Sequence, residues 1–110
     1  MTKLLTKAVT RRLLANFPAG GATRPAVKLF TPDAQATWLI ADMDPDDPDR
    51  LFGLCDLGLG CPELGYVSLR ELARVRGRLG LAVERDRWFT ADKTLGEYAA
   101  EARLCGRIAA

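Results

Sequence analysis

Histidine is absent from this sequence of 110 residues. Its absence excludes catalysis by Ser-His-Asp and Cys-His arrangements, and it removes the most common protein ligand of transition metals. The few lysines lie in polar segments that give no indication of an activated amine nucleophile. They are Lys3, Lys7, Lys28 and Lys93. The sequence therefore favours a binding protein over an enzyme, and it indicates no cofactor.

Long apolar runs and paired cysteines are also missing. Runs such as residues 37–41 are far shorter than the roughly 20 residues that cross a bilayer, and polar residues interrupt the N-terminal segment where a signal peptide needs an apolar core. The three cysteines form no C-x-x-C pair, which argues against a zinc site or a disulfide framework. We expect Cys55, Cys61 and Cys105 to be buried thiols in a cytoplasmic protein without membrane contact.

The composition is that of a folded protein. Apolar residues make up 48% and charged residues 27% of the chain, a balance that allows enough buried surface to offset chain entropy. The length is that of one domain, so we expect a single unit over residues 1–110.

Charge is distributed unevenly although the net formal charge is only +2. Residues 1–28 contain six basic residues and no acid, residues 29–63 contain eight acids and one arginine, and residues 64–110 are mildly basic. A basic, acidic and again basic order of segments indicates binding through a charged surface.

The order of predicted elements favours an α+β fold. Thr6 precedes apolar residues at helical spacing up to Phe17, and strand-like runs follow at residues 26–30, 36–42, 51–57 and 65–67. Capping boxes at Ser68 and Thr94 predict a short helix over residues 69–76 and a C-terminal helix, with a last strand near residues 79–84 between them. Short connections favour antiparallel pairing, so we predict a mostly antiparallel sheet of three to five strands with three helices.

An acidic segment at residues 42–49 has carboxylates at alternate positions, as calcium loops do. The sixth loop position, which requires glycine, is Asp47, and the twelfth, which requires a bidentate acid, is Gly53. A solvated hairpin turn is therefore the favoured interpretation. An alternative is a metal-dependent phosphodiesterase or nuclease that holds its ion with Asp42, Asp56 and Glu63.

A series of arginines follows the acidic segment. Arg70 and Arg74 share one face of the predicted short helix, and Arg76 follows, where guanidinium groups can bind phosphates or the carboxylates of a partner. The alternative is pairing within the chain, of Glu71 with Arg74 and of these arginines with the acidic turn. Farther along, Arg85 and Asp86 precede Trp88, whose charged surroundings favour an exposed docking edge over a core position.

Several segments resemble an uncharacterised bacterial family of small proteins, classed as domain of unknown function 2958. The resemblance covers residues 3–89, and its most specific parts are Pro62-Glu63-Leu64-Gly65-Tyr66 and Glu84-Arg85-Asp86. It implies a context of plasmids and other mobile elements rather than an activity, and it supplies no catalytic residues. Residues 94–110 are then expected to be an appended helix.

These observations lead to one binding hypothesis. We expect an accessory module that binds a protein or a nucleic acid through an arginine-bearing face, with a homodimer as an open alternative. Glu63 and Tyr66 are expected to line the same end of the sheet as Arg85 or Asp86, in a closed ion pair or in an open cleft. The candidate binding residues are Glu63, Tyr66, Arg70, Arg74, Arg76, Arg85 and Asp86.

Overall fold

The computed structural model describes residues 4–18 and 20–110 and contains three helices and one sheet. The helices are α1 (Lys7–Asn16), α2 (Leu69–Arg74) and α3 (Leu95–Cys105), and a 3₁₀ turn covers Gly20–Ala22. The strands are β1 (Val27–Phe30), β2 (Thr37–Asp44), β3 (Asp47–Asp56), β4 (Glu63–Ser68) and β5 (Glu84–Arg85). None of the described helices has the length and apolar character that a bilayer crossing requires.

The sheet is antiparallel throughout, with the strand order β4-β3-β2-β1-β5. The first four strands are consecutive neighbours because their connections are short, and β5 returns to pair with β1 after α2. The α+β fold class and the antiparallel sheet predicted from the sequence are confirmed.

The helices begin at the residues that the capping signals indicated. Thr6 accepts a hydrogen bond from the Val9 amide at the start of α1, and Ser68 accepts one from the Glu71 amide at the start of α2. Thr94 and Glu97 form a reciprocal capping box at the start of α3.

Both faces of the sheet are covered. Alternate residues of β2 point to opposite faces, so Trp38 and Ile40 pack with α1 and α2, whereas Leu39 and Ala41 pack with α3. Consequently the whole centre of β2 is buried. Residues 94–110, expected to be an appended helix, contribute Leu95 and Tyr98 among others to the second of these clusters.

The structure differs from the sequence predictions for two strands and for two cysteines. β3 begins at Asp47, four residues before the predicted start at Leu51, because the acidic segment continues the β2–β3 ladder to a turn at Pro45 and Asp46. The predicted strand over residues 79–84 is replaced by a turn, and β5 begins only at Glu84. Cys55 is half-buried, and burial raises the pKa of its thiol to about 11, but Cys61 and Cys105 are exposed rather than buried.

Candidate functional site

Glu63 and Tyr66 do not meet Arg85 and Asp86 in one site, although the strand register places Glu63 and Arg85 in one cross-strand row of the sheet. Glu63 and Tyr66 lie on β4 and Arg85 lies on β5, which are the opposite edges of the five-stranded sheet. Four spacings between neighbouring strands separate these edges, which amounts to roughly 19 Å. The candidate residues therefore divide between two separate surfaces, one at each edge.

At the β4 edge, Tyr66 forms an exposed aromatic stack. Its side chain is 61% exposed, its ring meets Phe52 edge to face with 5.1 Å between centroids, and the guanidinium carbon of Arg50 lies 3.9 Å from the ring centroid. The cation and Phe52 hold the ring in place from two sides. Glu63 lies at the far end of the same strand, opposite Cys55, and is exposed.

At the other edge, Arg85 and Asp86 stabilise the local backbone. The Arg85 guanidinium donates a hydrogen bond to the Leu4 carbonyl at 3.2 Å, which fastens the segment before α1 to the sheet edge. Asp86 lies 3.8 Å from Lys28 Nζ, and its Oδ1 accepts a hydrogen bond from the Trp88 amide at 2.9 Å. The turn at Asp86 is therefore held by an ion pair with Lys28 and by the hydrogen bond from the Trp88 amide.

Helix α2 carries two of the candidate arginines and is held by the acidic hairpin. Asp49 accepts hydrogen bonds from the Ser68 hydroxyl at 2.6 Å and the Arg70 amide at 2.8 Å, and these bonds lower the pKa of its carboxyl group. Arg70 Nε also lies 3.5 Å from Asp49. The expected pairing of this arginine with the acidic turn is thus present, and the positive charge of Arg70 is partly neutralised.

Among the described residues, the remaining arginines of this region form no ion pair with a carboxylate. Arg76 folds back so that one guanidinium nitrogen donates to the carbonyls of Ala73 and Val75, at 3.0 and 2.8 Å. Both of these contacts are to carbonyl groups, so the guanidinium keeps its full charge. Within residues 4–18 and 20–110, no ion pair is formed by Arg74, Arg76, Arg78, Arg85 or Arg87.

A groove of about 510 Å³ lies between α2 and the β5 segment. Ala73 of α2 forms one wall, Arg85 and Arg87 form the other, and Val83 contributes an apolar surface. Glu84 is the one acidic residue of the lining, and Arg76 lies beside the groove because its guanidinium contacts the Ala73 carbonyl and its backbone pairs with Ala82. We call this feature the arginine groove, with Arg76, Arg85 and Arg87 as its cations.

Asp33 fixes the turn between Arg76 and Ala82, which form an isolated β-bridge beside the arginine groove. Its Oδ2 accepts hydrogen bonds from the Leu79 amide at 2.6 Å and the Leu81 amide at 3.2 Å, while Gly77 donates to the Leu81 carbonyl at 3.0 Å. A Cβ atom at Gly77 would lie 1.6 Å from Asp33 Oδ1, so only glycine permits this approach. The carboxylate thereby sets the position of Arg76 and Arg78 on either side of Gly77.

The three carboxylates of the metal alternative do not meet. In the β2–β3 ladder Asp42 is paired with Phe52 and Asp56 with Thr37, so the two acids lie at opposite ends of the hairpin. Asp56 is buried and its two oxygens accept the amides of Gly58 and Ile108, each at 2.8 Å. Across the part of the chain that is described, no group of three or more acidic or cysteine side chains is arranged to hold a metal ion.

Asp42 is buried, and desolvation raises the pKa of its carboxyl group above the ordinary value of 3.8. A bond from the Gly20 backbone opposes this shift, and the nearby charge of Asp44 adds to it. The folded protein therefore binds this proton more tightly than the unfolded chain does.

Replacing Asp42 with asparagine tests this effect. The stabilising contribution of protonated Asp42 is fully present below pH 3.8. It is lost as the pH rises through the raised pKa of the folded state, because the buried carboxyl group then becomes charged. At pH 7 we expect Asp42→Asn to be more stable than the parent towards urea, with the difference shrinking as the pH falls towards 3.8. The account would be contradicted if the stability of Asp42→Asn, measured relative to the parent, were lower at pH 7 than at low pH.

A model of a sequence family matches residues 4–109, and its description is "Protein of unknown function (DUF2958)". The match covers nearly the whole chain. The chain belongs to this family. No curated protein and no solved structure matches it significantly. The matched residues of DUF2958 extend through α3, beyond residue 89, where the resemblance seen in the sequence ended. The description of DUF2958 states no function, so the function must be inferred from the arginine groove.

Asp33 and Arg87 are not among the residues that the sequence predicts for the binding site. Arg87 was recognisable as one of the arginines near the exposed Trp88, but its place in the groove depends on the pairing of β5 with β1. Asp33 lies 46 residues before Leu79, and no local pattern connects them. Only the packing of the turn reveals this contact.

Proposed function

We propose that this chain is a non-enzymatic binding module that holds nucleic acid through the arginine groove and the adjoining face of α2. The observation that carries the proposal is that Arg85 and Arg87 line one concave surface and Arg76 lies beside it, and none of the three forms an ion pair within the described residues. The sequence left a protein partner and a nucleic acid as alternatives. The geometry favours nucleic acid.

Two features favour phosphate as the bound group. The cations are arginines without exception, and the guanidinium group binds phosphate oxygens through paired hydrogen bonds more readily than an ammonium does. The groove, at about 510 Å³, has the volume of a site for a nucleotide-sized group. The acidic hairpin partly neutralises Arg70, so the binding surface is centred on Arg74, Arg76 and the arginine groove.

Fluorescence anisotropy with labelled oligonucleotides tests the proposal. Each phosphate contact releases counterions, so the affinity must fall as salt rises. For Arg74→Gln/Arg76→Gln we expect affinity to fall on the order of tenfold, and the slope of log K against log salt to fall by about 1.4, which is roughly 0.7 for each contact with a single strand.

Arg103→Gln/Arg107→Gln is the matched control, because it removes the same charge from exposed positions at the end of α3. This control is expected to retain nearly the parent affinity. Equal losses in both double variants would show a response to net charge alone and would overturn the proposed site. Binding of an acidic protein or peptide in place of every oligonucleotide would assign the arginine face to a protein partner.

The wider setting rests on the resemblance alone. We propose an accessory role on plasmids or other mobile elements and a location in the cytoplasm, where nucleic acids of the cell are accessible. Self-association is a separate proposal, and light scattering measures it directly: a homodimer gives twice the 12.0 kDa mass of the chain.

A further inference from the structure

A second groove has a volume of about 330 Å³, and its lining includes residues 89–91, which follow the arginine groove residues Arg85 and Arg87 along the chain. It is bounded by α1, by the chain that leads into β1, and by residues 89–91. Its lining is polar and basic and has an aromatic side chain. The residues that matter here are Arg12, Asn16, Thr23, Arg24, Phe89 and Thr90.

The lining of the second groove contains two arginines and no acid. Arg12 donates to the Ala26 carbonyl at 3.2 Å, which positions its guanidinium without neutralising it. Arg24 is exposed. The pKa of Glu97 is lowered mainly because its carboxylate accepts the Thr94 amide at 2.9 Å, and the charge of Arg24 adds to this effect. Two guanidinium groups that form no ion pair within the described residues, in a lining that includes threonine hydroxyls, are suited to a phosphate.

Trp88 lies in the sequence between one lining residue of each groove. Arg87 lines the first and Phe89 lines the second, and Trp88 is the residue that connects them, with 92% of its side chain exposed. Its amide is held by Asp86, which lies beside Lys28. An indole ring presented to solvent on a fixed turn, with arginines on either side, provides a stacking surface for a base.

We infer that the nucleic acid bound here is a single strand, with phosphates in both grooves and a base stacked on Trp88 between them. This inference rests on the proposed function and specifies its ligand. A base in a duplex is stacked on its neighbours and cannot offer its face to Trp88 without being unpaired. The two grooves therefore bind consecutive phosphates of one nucleic-acid strand, and this strand passes over the protein at Trp88.

Trp88→Ala, Trp88→Phe and a pair of ligands test the stacking contact. The ligands are oligo(dT) and an abasic strand of equal length, which keeps the phosphates and lacks the bases. Trp88→Ala should bind oligo(dT) on the order of tenfold more weakly, with little change towards the abasic strand. Trp88→Phe, which keeps an aromatic face, should recover most of the loss.

Tryptophan fluorescence gives an independent readout. The chain has two tryptophans, and Trp38 is buried whereas Trp88 is exposed. Oligo(dT) should quench the emission of the parent protein, and Trp88→Phe should show almost none of this quenching because only Trp38 remains. Unchanged emission of the parent at saturating oligo(dT) would overturn the stacking contact.

Arg12→Gln/Arg24→Gln tests the second groove. We expect the slope of log K against log salt for oligo(dT) to fall by about 1.4, as two lost phosphate contacts require, whereas Arg103→Gln/Arg107→Gln leaves it unchanged. Arg24→Gln alone, which removes no hydrogen bond within the described chain, should give about half of this fall. Circular dichroism and thermal melting verify that each variant is folded.

The outcomes separate this inference from the proposed function. If Arg74→Gln/Arg76→Gln weakens binding but the Trp88 and Arg24 variants bind as the parent does, the second groove is not used and the arginine groove stands alone. Duplex bound more tightly than the single strand would likewise overturn the inference. If no nucleic acid binds the parent protein, the proposed function itself fails.

Discussion

Replacing Gly53 with alanine is expected to lower the free energy of unfolding by about 3 kcal/mol or more. Gly53 lies in the centre of β3, paired with Ile40 of β2. A Cβ atom there would lie 2.4 Å from the Leu39 carbonyl oxygen and 2.8 Å from Cδ1 of Ile40. The carbonyl belongs to a buried central strand, so the clash is relieved only if the sheet itself shifts. Urea unfolding followed by circular dichroism measures the loss.

Gly65→Ala is the matched control for this prediction. Gly65 is the cross-strand partner of Gly53 on β4, and a Cβ atom there meets nothing within 4 Å. We expect stability equal to or slightly above that of the parent, because alanine restricts the unfolded chain more than glycine does. Similar stability for the two alanine variants would show that the close approach of β2 to Gly53 is not as described.

Asp56→Ala is expected to cost about 2 to 3 kcal/mol of unfolding free energy. The buried Asp56 side chain connects the end of β3 to the segment after α3, since one oxygen accepts the Ile108 amide and the other accepts the Gly58 amide. Alanine leaves the buried Ile108 amide without an acceptor. The measurement is the midpoint and slope of a urea titration at pH 7.

Asp56→Asn should lose about half as much, because its single carbonyl oxygen keeps one of the two acceptor positions. This series also distinguishes a structural carboxylate from a metal ligand. Magnesium or manganese should leave the melting temperature of the parent unchanged, since both oxygens of Asp56 are occupied by amides. An ion-dependent rise in melting temperature that Asp56→Asn abolishes would contradict the structural role.

Local signals predicted the elements well, since the physics that forms them is local. The Thr6, Ser68 and Thr94 caps act on amides within three residues, so the starts of all three helices are recognisable in the sequence. The short connections likewise required antiparallel neighbours among β1 to β4. The fold class follows from these facts.

The position of β5 was not recognisable from any local signal. Its pairing with β1 places Arg85 at one edge of the sheet, while the β4 hairpin places Tyr66 at the other. This arrangement depends on the edge of the sheet with which the chain pairs after α2. Val83 and Leu72 pack in the same core cluster as Trp38 and Ile40, and this packing places β5 beside β1. The expected meeting of Tyr66 with Arg85 failed for this reason.

The candidate site was predicted in part. The arginines of residues 70–76 were recognised from their charge and spacing, and the exposure of Trp88 was expected from its charged neighbours. The grooves were not, because each is formed by segments far apart in the chain: Ala73 with Arg85 in one case, and Arg12 with Phe89 in the other. The sequence shows which residues are charged, whereas the grooves that they line are formed only by tertiary packing.

An NMR titration of the labelled protein with oligo(dT) tests the central claim most directly, because it locates the bound strand residue by residue. The account predicts amide shift changes centred on residues 73–76 and 82–88, extending to Arg24 and the N-terminal helix when both grooves are filled. The acidic hairpin at residues 44–49 and the loop at residues 57–61 should stay unperturbed. Changes centred on that loop or on α3, with the arginine groove unaffected, would contradict it.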